Sequence, residues 1–325
     1  MAFFKPGCFI VIGDATMDFV AAFDKWPRDG ENILIDNLKM SPGGTGLNVA
    51  IGLSRLGLET HFWGRLSDDF LGDYLRNFTL SEQVILNNIA PSNKPTRIIV
   101  VKLDRNRQPS FLAFNKPAAE DDLVESVINV ETLKTASALY VSGLSLRFEP
   151  ARTTVLKCME IAKDAGVVVA FDPNLRSSEE YIPTDYREVL LKALSLTDIY
   201  LPNSIEDKLI RGHYLTLEQE VDVSGLLPDR PPICVVKCGA QGCYLLSDVK
   251  AAHFSVMNSD VIDATGAGDA FNVGFLFGLN SGFSLEDSCR IANVVAALKC
   301  KEEGTSLAFP RIDELGPYLS GLNRG

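Results

Sequence analysis

The sequence predicts an α/β fold of the doubly wound kind: a mostly parallel central sheet with helices on both faces and a small β-sheet lid. Three observations predict it. Short apolar runs recur along the chain without strict alternation, as strands buried on both faces do. Segments of helical period separate those runs. Two stretches, 19–40 and 96–114, break the rhythm and read as β-hairpins inserted into the α/β core.

The elements can be taken in order. The first strand is Cys8–Ile12, whose short apolar run ends in Gly13-Asp14 with no small-residue cleavage site, so it reads as a buried strand and not as a leader. A helix over Gly46–Leu56 follows a glycine-rich turn, and Thr60–Trp63 is the next strand. Phe70–Phe78 has helical period, Ala138–Ser142 is a strand, and Ala151–Ala165 is a helix. Strands Val167–Phe171 and Ile199–Leu201 flank a helix at Tyr186–Leu194. Ile233–Lys237 and Cys243–Ser247 are strands, and Ala267–Leu279 and Leu285–Cys300 are helices. In the two irregular stretches, Trp26-Pro27-Arg28-Asp29-Gly30 and Asp104–Gln108 are the turns. Their strands can close over a pocket as a lid or decorate the surface. The expected organisation is a core of residues 1–18, 41–95 and 115–325, with a lid of 19–40 and 96–114.

Composition narrows the function. At 325 residues and 46% hydrophobic, the chain can bury a large core. A formal net charge of −11 with no basic patch argues against nucleic acid. No run approaches the ~18 apolar residues that span a bilayer, so no membrane partner and a cytoplasmic location are expected. Seven scattered cysteines fit a reduced compartment, and Cys238 and Cys243 lack the companions of a zinc site. His61, His213 and His253 are far apart and read as structural.

Two segments carry chemistry. In Asp263-Ala264-Thr265-Gly266-Ala267-Gly268-Asp269, small residues let the backbone turn tightly just before a helix. The bare N–H groups and positive end of that helix make an anion cradle from Gly266, Ala267 and Gly268. Asp269, in the first turn, can accept a hydroxyl proton as a phosphoryl group moves. A glycine turn with a helix-start Asp fits the same residues. In Pro42-Gly43-Gly44-Thr45-Gly46-Leu47-Asn48, Gly43 and Gly44 let a ligand meet bare backbone. Asn48, one turn on, can hydrogen-bond sugar hydroxyls. There is no G-x-x-x-x-G-K-[ST] and no complete G-x-G-x-x-G, against a Walker-type NTPase or a dehydrogenase.

Taken together these segments resemble the ribokinase-like, or PfkB, family of carbohydrate kinases over nearly the whole chain. Gly43–Gly57 resembles the N-terminal signature and Asp263–Phe271 the C-terminal one. Between them Asp172-Pro173-Asn174-Leu175-Arg176 resembles D-x-N-x-R, Pro202-Asn203-Ser204-Ile205-Glu206 resembles N-x-x-E, and Lys237–Gly242 resembles the nucleotide loop. The resemblance implies an ATP-dependent kinase acting on a sugar-like small molecule. It implies Asp269 as general base, with Gly266–Gly268 stabilising the transferring group. Asn203 and Glu206 would organise Mg²⁺, partly through water. Lys237, Gly239, Gly242 and Asn293 would lie against ATP. Asp18 would grip substrate hydroxyls, with Thr16, Gly43, Gly44 and Asn48 beside it. Arg176 would contact phosphate or an anionic substrate, or form an ion pair. Asp263 and Thr265 match the loop for a monovalent cation, which makes K⁺ a candidate cofactor. A homodimer through the lid is also implied.

Departures matter. Thr16 stands where ribokinases carry Asn, Thr45 where they carry Lys, and Ser142-Gly143-Leu144 where they place a ribose-contacting Glu. The chain is therefore nearer the 2-keto-3-deoxygluconate kinase and fructokinase branches than ribokinase, which points to a sugar or sugar acid. Two other readings stay open: a nucleoside kinase of the same fold, with Phe111, Phe114 or Trp26 stacking a base, and a non-catalytic sugar sensor.

Overall fold

The structure is a computed structural model that describes residues 3–322 except 24, 87–90, 104–108, 176–181, 212–230, 232, 247–250 and 258–259. Arg176, His213 and the turn 104–108 lie outside the described residues. In chain order the strands are β1 (Phe9–Ile12), β2 (Thr16–Ala22), β3 (Lys39–Gly43), β4 (Thr60–Phe62), β5 (Ile85–Leu86), β6 (Arg97–Leu103), β7 (Pro109–Phe114), β8 (Ala138–Ser142), β9 (Val168–Asp172), β10 (Ile199–Tyr200), β11 (Ile233–Lys237), β12 (Cys243–Leu246) and β13 (Ala251–Phe254). The helices are α1 (Thr45–Arg55), α2 (Phe70–Ser81), α3 (Val130–Thr135), α4 (Ala151–Asp164), α5 (Thr184–Ser195), α6 (Ser204–Arg211), α7 (Ala267–Asn280), α8 (Leu285–Lys299) and α9 (Ile312–Leu319).

Nine strands form the large sheet, in the order β13-β12-β11-β10-β9-β8-β1-β4-β5. All neighbours are parallel except β11 with β12 and β12 with β13. The chain winds from β1 outward through β4 to β5, then returns to β8 and winds the other way. A topological switch therefore lies between β1 and β8, and such a switch opens a crevice at the carboxyl ends of the strands. The strands are buried on both faces, which is why their sequences lack alternation. Phe9 and Val11 join one hydrophobic cluster with α1, α7 and α8, while Ile10 and Ile12 join another with α4 and α5.

The small sheet is mixed, in the order β3-β2-β6-β7. β2 pairs with β3 and β6 with β7 antiparallel, as the two predicted hairpins require, and β2 joins β6 in parallel. Its strands reach beyond 19–40 at both ends, because Thr16 pairs with Gly43 and Asp18 with Ser41. Thr16, Asp18 and Gly43 thus sit on the small sheet and not in the core layer. The sequence reading omitted the short elements β5, β13, α3, α6 and α9. The two-residue β5 and the six-residue α3 carry too little period, and Pro317 inside α9 speaks against a helix. No helix among the described residues is long and apolar enough to cross a membrane.

Candidate active site

The carboxyl ends of β9, β10 and β11 and the start of α7 surround one cavity of about 320 Å³. Asp172, Asn174, Asn203, Glu206, Lys237, Gly239 and the whole run Ala264–Asp269 line it. Phe111 of β7 lines it too, so the small sheet forms part of its wall.

Gly266 begins α7 in the left-handed region, at φ +80°. Ala267 N–H closes that turn on the Ala264 carbonyl at 3.1 Å, and the positive end of the 14-residue helix faces the cavity that Gly266–Asp269 line. Asp269 lies in the first turn and is buried, and its Oδ2 accepts from Asn48 Nδ2 at 2.8 Å. Asn48 Oδ1 in turn accepts from Ser306 Oγ at 2.6 Å. The amide of Asn48 is therefore fixed by two partners, and it fixes the carboxylate. The two glycine-rich segments, more than two hundred residues apart, meet in this one contact.

The side toward the small sheet is built by close approach. A Cβ on Gly43 would overlap the Asp18 carboxylate, and one on Gly44, at φ +96°, would fall 2.6 Å from the Asp14 carbonyl oxygen. Thr16 Oγ1 donates to Asp18 Oδ1 at 2.8 Å. Asp14, which the sequence reading treated only as a turn, caps α1 by accepting from the N–H groups of Thr45 and Gly46 at 3.1 and 3.2 Å. Thr305 Oγ1 reaches the Pro42 carbonyl at 2.8 Å, which joins this side to the anion turn.

A buried polar knot stands opposite. Asp172 Oδ2 accepts from Lys237 Nζ and from Asn272 Nδ2, each at 2.5 Å, and Asn272 Nδ2 also reaches the Tyr140 hydroxyl at 3.1 Å. Lys237 Nζ would stand 3.8 Å from a Cβ on Gly268, so its ammonium abuts the anion turn. None of Asp172, Asn272 and Tyr140 was singled out as a site residue in the sequence. A helix-interior Asn and a strand Tyr give no local signal.

Asn203 and Glu206 form a capping box at the start of α6. Asn203 Oδ1 accepts from the N–H groups of Ile205 and Glu206, and Glu206 Oε2 accepts from Asn203 N–H at 2.8 Å. Glu206 Oε1 accepts from Leu175 N–H at 2.8 Å. Burial above all, then the neighbouring Asp172 carboxylate, push the Glu206 carboxyl up to about 7, against Lys237 and these hydrogen bonds. A buried carboxyl held against ionisation beside a second carboxylate fits a divalent cation, and the oxygen donors suit Mg²⁺.

Other nominated residues fall elsewhere. Gly239 lines the cavity, whereas Gly242 does not, and a Cβ there would overlap the Phe254 carbonyl. Asn293 faces neither solvent nor the cavity. It is buried on α8, and its Nδ2 donates to the Phe254 and Ser255 carbonyls at 3.0 and 3.2 Å. Asp263 Oδ1 and Oδ2 accept from the N–H groups of Thr265 and Gly304 at 2.9 and 3.0 Å. Behind Asp263 lies Lys299, an ammonium that sequence reasoning missed. Burial draws it below the ordinary lysine value, while Asp263 and Asp269 hold it up. At the far end of the sheet Cys8, Glu59 and His61 bring three ligand-type atoms within 4.8 Å of one another, although burial raises the Cys8 thiol and disfavours its thiolate.

An anion turn, an adjacent carboxylate, a cation-competent cap and a small-sheet wall at the carboxyl ends of the parallel strands define a class: kinases of small hydroxylated molecules. Residues 9–312 match the profile described as pfkB family carbohydrate kinase. A fructokinase of Klebsiella pneumoniae is 31% identical over 316 residues, covering 94% of this chain and 97% of its own. A sugar kinase of Pyrococcus horikoshii, solved with ATP, superimposes at a TM-score of 0.80 with 27% identity over 95% of this chain and 97% of its own. A Vibrio cholerae fructokinase double mutant with fructose, ADP and potassium bound gives 0.82 with 26% identity over 98% and 99%. This chain belongs to the pfkB family of carbohydrate kinases, and it is an ATP-dependent sugar kinase.

Proposed function

We propose that the chain transfers the γ-phosphoryl group of ATP to a hydroxyl of a ketohexose or a related sugar acid, with Asp269 as general base. The observation that carries this reading is the Ser306–Asn48–Asp269 relay, which holds one carboxylate in the first turn of α7, beside the glycine turn that opens it. Relatives named fructokinase at 31% and 30% identity support a ketose acceptor.

In the proposed reaction the sugar lies toward Asp18, Thr16, Gly43 and Gly44, and the triphosphate lies along Gly239 and Gly266–Gly268. Asp269 takes the proton of the acceptor hydroxyl, the oxygen bonds to the γ-phosphorus, and the bond from that phosphorus to the bridging oxygen breaks to release ADP. The Gly268 N–H, the positive end of α7 and the Lys237 ammonium receive the charge on the moving group, while the Ala267 N–H, which donates to the Ala264 carbonyl, holds the turn. Mg²⁺, held by Asn203 and Glu206, would neutralise phosphate charge when bound. Phe111 helps exclude water.

Phe111 in the cavity wall also favours one second reading, a nucleoside acceptor stacked on its ring. Sugar-dependent ADP release across ketoses, aldoses, sugar acids and nucleosides tests both. Turnover with a ketose or sugar acid supports the first, turnover with nucleosides alone replaces it by the second, and sugar binding without any ADP release refutes both. Exposed Met40, Phe111, Leu112 and Phe114 on the small sheet support a homodimer through that sheet, which a monomeric mass in sedimentation would refute.

A further inference from the structure

The loop before the anion turn rests on a cation supplied by the chain. Lys299, the last residue of α8, is fully buried. Its Nζ donates to the Asp263 carbonyl at 2.8 Å and lies 4.0 Å from Asp263 Oδ2. Asp263 also binds Thr265 N–H and Gly304 N–H, so it joins the segment leading into Gly266 to the segment after α8. Thr305, next to Gly304, has its Cγ2 3.8 Å from where a Cβ on Gly266 would stand. The ammonium therefore sits at the junction of both loops, directly behind the anion turn.

A buried ammonium persists only where a carboxylate and carbonyls receive it. A monovalent metal ion would ask for the same receivers, namely the Asp263 carbonyl and carboxylate. The Asp263 carbonyl is already engaged, and a second like charge on the same carbonyl would stand against a fully buried ammonium, which repels it strongly. K⁺ does not fit beside Lys299.

We infer that the Lys299 ammonium takes the place of a monovalent metal ion behind the anion turn, so that this chain needs no K⁺ for phosphoryl transfer. Lys299 is a positioning residue. It acts through Asp263 on Thr265 and on the N–H groups of residues 266–268, and it touches no reacting atom. The inference rests on the proposed reading of that turn as the phosphoryl site.

The test uses the full chain with every monovalent metal ion replaced by tetramethylammonium, then K⁺ or NH₄⁺ restored at constant ionic strength. Sugar-dependent ADP release and the melting temperature are both read. The wild-type rate is expected to change by less than about twofold, with no rise in melting temperature. Lys299→Ala opens room for an ion beside the same oxygens. It is expected to lose activity and regain about tenfold on addition of K⁺ or NH₄⁺, a coupling of ordinary size. Its melting temperature should rise with K⁺, because an ion bound only by the folded state stabilises that state. Lys299→Met keeps the length of the side chain without its charge and should stay weak with or without K⁺.

Stimulation of the wild type by more than about fivefold, again within the usual coupling range, would overturn the inference. So would a saturable rise of its melting temperature with K⁺, or a folded Lys299→Ala indifferent to K⁺ in both readouts. If Lys299→Ala does not fold, the wild-type titration decides alone. The melting readout needs no acceptor, so an error about the sugar leaves this test intact.

Discussion

Replacing Asp269 by Asn tests the chemistry with little change to the structure. The side chain keeps its volume and an oxygen that can accept from Asn48 Nδ2, which donates to Asp269 Oδ2 at 2.8 Å. It loses its negative charge and its basicity. The fold should tolerate the change. A buried carboxylate in the first turn of a helix gains up to ~2 kcal/mol from the helix field, so stability should move by no more than about 2 kcal/mol. Catalysis should not tolerate it. Loss of a positioned base removes ~10²–10⁴ in rate, or about 2.7–5.4 kcal/mol of barrier. The assay pairs sugar-dependent ADP release with ATP affinity by calorimetry. The expected result is ATP binding within about threefold of wild type and turnover down at least a hundredfold, by the same range for general-base help. Asn48→Ala should lower turnover as well, and the double variant should be little worse than Asp269→Asn, since the two side chains act as one unit. Near-normal turnover in Asp269→Asn, or losses that simply add, would refute the role assigned here.

Three further outcomes are expected. Lys237→Met strands the buried Asp172 carboxylate and should cost ~3–5 kcal/mol in urea unfolding, most of which a second change, Asp172→Asn, should restore; no recovery in the double variant counts against the pair as the cause. Glu206 has a folded pKa raised to about 7 from 4.5, so its share of stability is full below 4.5 and is lost as pH rises through about 7, up to ~3 kcal/mol. Without Mg²⁺ the melting temperature should therefore fall over that window, Glu206→Gln should flatten the fall, and Mg²⁺ should stabilise more as pH rises; parallel profiles for the two proteins would contradict this. Gly266→Ala meets no atom closer than 3.8 Å, so its cost is the left-handed backbone alone, ~1–2 kcal/mol, and it should raise KM for ATP. Gly43→Ala collides with Asp18 and should instead raise KM for the sugar; steady-state kinetics with each substrate varied will show whether the two effects separate.

The parts of the site legible in the sequence are those in which backbone does the work. Gly266, Ala267, Gly268 and Asp269 are neighbours in the chain, so a tight turn into a helix could be read from nine letters, and the family resemblance, not the letters alone, selected the anion role over a plain helix start. The buried, non-alternating strands gave the parallel sheet for the same reason. What could not be read is the set of side-chain pairs that the fold creates at long range. Asp172 meets Lys237 across 65 residues and Asn272 across 100, and Ser306 meets Asn48 across 258. Asp172, Lys237 and Asn48 stand in segments the sequence marks, but Asn272 and Ser306 are ordinary residues in their own windows, and no window shows which residues will meet. Asn293 and Lys299 show the sharper form of the problem, because a polar residue on a helix otherwise reads as solvent-facing, yet both point inward. The Asn293 amide ties down the end of β13, and the Lys299 ammonium ties down the loop that precedes the anion turn. A buried polar side chain survives selection against its desolvation cost only when its partners hold it, so these residues mark where the fold fixes loops rigidly. The loop so fixed, 263–265, leads directly into the N–H groups proposed to receive the phosphoryl charge. Donors that must not reorganise while charge moves need such anchorage, and here it comes from residues that carry no motif.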